Sequence, residues 1–136
     1  MARLKLILVL SSLLFLSGNL RAQEVHGLDY YNQETYRLYA EGEWDSVIIM
    51  GREAVRQNID FYYLRMRMGI AAWNLNNYRL AALHFRKALD FNRADPIALT
   101  YLHGCYLNLG WVMPARDLER KHARQIPDSL KKARVS

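Results

Sequence analysis

Between residues 28 and 126, apolar side chains recur three and four positions apart, the spacing of helices that bury one face. Six stretches of about fourteen residues carry this pattern. They predict helices near 28–41, 45–58, 61–75, 78–91, 96–109 and 114–126. No segment sustains the alternation of a half-buried strand, so no strand is expected. The breaks carry their own chemistry. Gly42 and Gly110 can take the left-handed conformation that ends a helix. Asp60 and Asp95 stand where N-caps are needed, and Pro96 and Pro114 occupy permitted first-turn positions. Connections this short make successive helices antiparallel neighbours.

A different pattern precedes the helices. Leu6 to Leu16 is an apolar run interrupted only by two serines, with Arg3 and Lys5 before it and Ser17-Gly18-Asn19 after it. Such a run is too short to cross about 30 Å of hydrocarbon as a helix, and it matches the core of a secretory signal. Residues 1–22 are therefore expected to direct export, with cleavage after Ala22 and Gln23 as the new N-terminus. No cysteine follows the run, which excludes a cysteine-linked lipid anchor. The expected location is the periplasm or cell envelope. Mass spectrometry of the protein from envelope fractions should find a chain beginning near Gln23. An intact Met1 in a cytoplasmic pool would end this reading and reopen nucleic acid as a partner for the basic end.

Shifting the chain by 34 residues aligns Trp44, Tyr78 and Val112. It also aligns Val47, Ala81 and Ala115; Thr35, Gly69 and His103; Leu38, Ala72 and Tyr106; and Ala54, Ala88 and His122. Gly42, Asn76 and Gly110 fall in one turn column. Gly69, Tyr78, Ala81, Phe85 and Ala88 form the clearest unit, and Leu102, Tyr106, Gly110, Ala115 and Pro127 the next. In this the chain resembles the tetratricopeptide repeat, whose period is 34 residues, over roughly residues 28–127. The resemblance implies an all-α solenoid of about three stacked antiparallel helix pairs, with units near 28–59, 60–94 and 95–127 and a basic tail or partial cap at 128–136. Some positions depart from the family pattern. Arg65 replaces a large apolar residue and Glu34 a leucine, and His103 and His122 occupy small-residue columns. The third unit is expected to pack less tightly for that reason.

Composition narrows the function. Half of the 136 residues are apolar, which argues against disorder, and a single cysteine excludes an internal disulfide framework. That cysteine, Cys105, is tolerable in an oxidising compartment when buried. The net charge of +6 suggests an anionic partner until the chain is divided. Residues 23–113 hold nine basic and ten acidic residues, so the excess lies in the leader and the C-terminal end. There Arg116, Arg120 and Arg124 recur every four residues, with Lys121, Lys131, Lys132 and Arg134 nearby. No aromatics interleave with them, so nucleic-acid binding is not expected. A weak contact with an anionic membrane surface is the most this end suggests.

Candidate catalytic chemistry is sparse. None of His26, His84, His103 and His122 lies four residues from another, and no Cys/His/Glu cluster has metal-ligand spacing. No phosphate loop or nucleophile elbow is present. Glu41, Glu43 and Asp45 read as a solvated acidic turn. The expectation is a protein without enzymatic activity, metal or cofactor.

In the tetratricopeptide family, the first helix of each pair lines a concave groove that holds a partner peptide. Carried over, that face comprises Asn32, Tyr36 and Tyr39, then Tyr63, Met66, Ile70, Trp73 and Asn74, then Thr100, Gly104, Leu107 and Asn108. The spacing of Tyr63, Met66, Ile70 and Trp73 places them on one helix face. Arg67 is the only cation near it, which disfavours a clamp for terminal carboxylates. Two functions follow as expectations. One is a protein- or peptide-binding scaffold centred on Trp73. The other is a structural or sensory module of a larger envelope protein, with the groove packed against its own chain or a second copy.

Overall fold

The computed structural model describes residues 26–128. The leader expected over residues 1–22 lies outside them, as does all of the basic tail except Asp128. Six helices follow in order: α1 Leu28–Ala40, α2 Trp44–Arg56, α3 Tyr62–Asn74, α4 Tyr78–Phe91, α5 Pro96–Asn108 and α6 Val112–Lys121. Each packs on the next, and α1 also packs on α3. The architecture is three stacked helix pairs, and no strand occurs among the described residues.

Burial explains the stacking. In α2 the buried residues are Val47, Ile48, Gly51 and Ala54, a single stripe. In α3 they are Leu64, Arg65, Met66, Met68, Gly69, Ala71 and Ala72, which spread around much of the helix. A helix buried on several sides needs neighbours on several sides, and a second layer of pairs supplies them. Glycine makes room between helices, both within a pair and between pairs. A Cβ on Gly69 would lie 2.7 Å from Phe85 Cε1, and one on Gly104 would lie 2.8 Å from Trp73 Cη2.

The three turns within pairs share one construction. Gly42, Asn76 and Gly110 have φ of 74°, 57° and 68°. The following amides of Glu43, Asn77 and Trp111 donate back to the carbonyls of Leu38, Ala72 and Tyr106 at 2.9, 2.8 and 2.8 Å. This pattern satisfies the last carbonyls of each first helix. Asp95 caps α5 as expected, accepting from the Ala98 amide at 2.7 Å. Asn77 likewise caps α4, accepting from the Leu80 amide.

Two local expectations are corrected. Asp60 does not cap α3; Phe61 takes the cap position without a side-chain bond. The Asp60 carboxylate instead grips Arg65, with Oδ1 2.7 Å from Nε and Oδ2 2.6 Å from Nη2. A buried guanidinium without an anion costs more than an uncapped amide, so the ion pair wins. The last helix runs from Val112 to Lys121 rather than 114–126. Pro114 is its third residue, where the missing N–H is still one that no helical carbonyl would accept. Beyond Lys121 the chain turns, and Ile126 is buried.

Candidate functional site

Helices α1 and α3 bring together five of the chain's polar and aromatic residues. Asn32, Thr35 and Tyr36 are neighbours on one face of α1, and Tyr63 and Arg67 lie four apart on α3. The Arg67 side chain crosses between the helices. Its Nη1 donates to the Asn32 carbonyl at 3.0 Å, to Asn32 Oδ1 at 2.9 Å and to Thr35 Oγ1 at 3.1 Å. Thr35 in turn donates to the Tyr31 carbonyl, which fixes the orientation of its hydroxyl. The guanidinium carbon lies 5.3 Å from the Tyr36 ring centroid and 5.8 Å from that of Tyr63. Both distances are within cation–π range. Burial lowers the Arg67 pKa from its ordinary value, opposed by Tyr36, Tyr39 and Tyr63. The group stays protonated at any working pH.

The rings around this charge face solvent. Tyr36 is 60% exposed and Tyr63 62% exposed. The remaining residues of the expected face divide. Tyr39 is half-buried and packs edge-on against Trp44. Met66 is only 7% exposed and belongs to the core. Ile70 is half-buried against that core. The exposed Asn74 amide donates to the Ile70 carbonyl of its own helix. In the third pair, Thr100 and Leu107 are half-buried, and Asn108 donates to the Gly104 carbonyl.

Trp73 sits elsewhere, in an aromatic joint between the second and third pairs. Its ring meets Tyr78 at 5.2 Å and Tyr101 at 5.4 Å, both edge-on, and its outer edge rests over Gly104. Tyr101 also stacks on Phe85 with centroids 4.9 Å apart. The face implied by the tetratricopeptide resemblance includes both this joint and the Tyr36–Tyr63 cluster, because Tyr63 and Trp73 share one side of α3. Arg67 was visible only as a lone cation. The signal that would have marked it is the pairing of Asn32 and Thr35 on α1 with Arg67 on α3.

Other polar groups are committed to packing. His103 is buried, with Nε2 2.6 Å from Glu119 Oε1, and ties α5 to α6. Glu41 pairs with Arg37 at 2.7 Å, in keeping with a solvated acidic turn. Burial pushes the Cys105 thiol up to about 12, which leaves it a poor nucleophile. A cleft of about 200 Å³ lined by Tyr106, Pro114, Asp117, Leu118 and Lys121 opens between α5 and α6, on a different pair from Arg67.

The chain is thus an all-α domain of three stacked helix pairs, with a cationic, tyrosine-flanked patch where α1 meets α3. Comparison with protein-family models, with curated proteins and with solved structures found no match.

Proposed function

We propose that this protein is an exported, non-catalytic scaffold of tetratricopeptide type that binds a protein or peptide segment on the α1–α3 face. One observation carries the reading. Tyr36 and Tyr63 stand largely in solvent on adjacent first helices, although neither is needed to close the core. Exposed tyrosines offer large contact area at modest entropic cost, and such residues dominate binding energies at interfaces. The 34-residue recurrence of the turns at Gly42, Asn76 and Gly110 supports the repeat assignment. In this reading Trp73 holds the pairs in register, and the binding centre lies at Tyr36, Tyr63 and Arg67.

The Tyr36→Ala/Tyr63→Ala double variant should keep the wild-type melt, because surface truncations usually change stability by about 0.5 kcal/mol or less. It should weaken partner binding by roughly 2 kcal/mol or more. Capture from envelope extract with wild type and variant in parallel tests this. If every partner of the wild type is retained by the variant, this face is not the binding surface. Light scattering of the same samples separates a second copy of the chain from a foreign partner.

A further inference from the structure

We propose that Arg67 receives one carboxylate from the bound segment, so that the peptide recognised by this face carries an internal Asp or Glu. The proposal rests on the peptide-binding reading above and specifies its chemistry.

Only two arginines among the described residues are withdrawn from solvent, Arg65 and Arg67. Arg65 is matched by the Asp60 carboxylate. Arg67 has only neutral oxygens around it, from Asn32 and Thr35, and no carboxylate partner among the described residues. A guanidinium removed from water without an anion is costly, and a carboxylate arriving there would offset that cost. The geometry also leaves one edge of the guanidinium without a hydrogen bond. All three bonds engage Nη1, while Nε and Nη2 have no partner among the described residues. Those two nitrogens carry the parallel N–H pair that meets a carboxylate side-on. The bonds to Asn32 and Thr35 hold the fork in place before any ligand arrives, which reduces the entropy lost on binding.

The surroundings select the kind of anion. Among the described residues the cluster's other members are Asn32, Thr35, Tyr36 and Tyr63, none of them a cation. A single carboxylate is balanced there, whereas a phosphate dianion is not. The two rings flank the guanidinium at similar distances from different helices. A chain continuing in both directions from its acidic residue covers both rings, and a chain ending at its own carboxylate covers one. The occupant is therefore an internal acidic side chain with apolar or aromatic neighbours.

The test uses the full chain against two libraries of short randomised peptides, one blocked at both ends and one with a free C-terminal carboxylate. Peptides from the blocked library should share an Asp or Glu at one position. Replacing that Glu by Gln should weaken binding about tenfold or more, as expected for a charge-assisted bidentate pair. With Arg67→Met the Glu and Gln peptides should bind equally, and Arg67→Lys should restore only part of the difference because it lacks the fork. The Glu→Gln comparison on wild type needs no altered protein, so a poorly folded Arg67 variant does not weaken it. Selection of peptides without an acid overturns the proposal while leaving the scaffold reading intact. So does enrichment only in the library with free C-termini, or an unchanged Glu preference in Arg67→Met. Failure of both libraries to yield any binder would remove the peptide-binding reading and this proposal together.

Discussion

Acidification from pH 7 to pH 4 is expected to remove about 3 kcal/mol of stability through His84 alone. The imidazole is 4% exposed on α4. Its Nδ1 lies 3.3 Å from Arg65 Nη1, which can only donate, so Nδ1 accepts and the ring proton sits on Nε2. Nε2 has no partner. A second proton would place an imidazolium against the guanidinium in a buried site. The His84 pKa accordingly falls from 6.5 to about 4, through burial first, then Arg65 and Arg52, opposed by Asp60. The sign follows from linkage. The unfolded chain takes up the proton as pH falls below 6.5, and the folded chain refuses it until about pH 4. The contribution is full above pH 6.5 and is lost across that window. Urea denaturation at several pH values would measure the loss. His84→Asn keeps an acceptor for Arg65 and does not titrate, so its stability should fall by much less over the same range. An equal fall in both proteins would assign the acid sensitivity to other groups.

Truncating the aromatic joint should be comparably damaging. Phe85 has no solvent exposure, and its ring occupies the space left by Gly69 before stacking on Tyr101. Phe85→Ala is expected to cost about 3–5 kcal/mol. Trp73→Ala should cost about 3 kcal/mol, the low end of that range, because the indole is only half-buried. Three pairs are close to the minimum for a stable stack, so either loss is a large part of a total of about 5–15 kcal/mol. Thermal melts followed by circular dichroism are the direct measurement. A wild-type melt for Trp73→Ala, together with loss of a binding partner, would return this residue to the binding face. An unchanged melt for Phe85→Ala would mean that its ring does not join the pairs.

The candidate site was only partly legible before the structure was known. The tetratricopeptide resemblance places Tyr36 and Tyr63 on the first-helix face, and both are exposed. Met66 satisfies the helical spacing of that face and is buried, because burial depends on which neighbour covers each side of α3. Trp73 also satisfies it, but Gly104 on α5 leaves a gap that the indole fills. No pattern within α3 distinguishes these outcomes. Arg67 acquires its meaning from Asn32 and Thr35, more than thirty positions earlier in the chain.

What the sequence determined by itself was what depends on neighbours within a few residues. Apolar spacing specified six helices, Gly42 and Gly110 specified two left-handed turns, and Asn76 marked a third turn at the same period. Short connections then left consecutive antiparallel packing as the available arrangement. The tertiary structure decided where polar groups found partners. It took Asp60 from the cap of α3 to Arg65, set His84 against that same guanidinium, and joined His103 to Glu119 across α5 and α6. The reason is energetic. An uncapped amide at a helix end can turn to water, but a charge or imidazole buried between helices is satisfied only by what the packing brings to it.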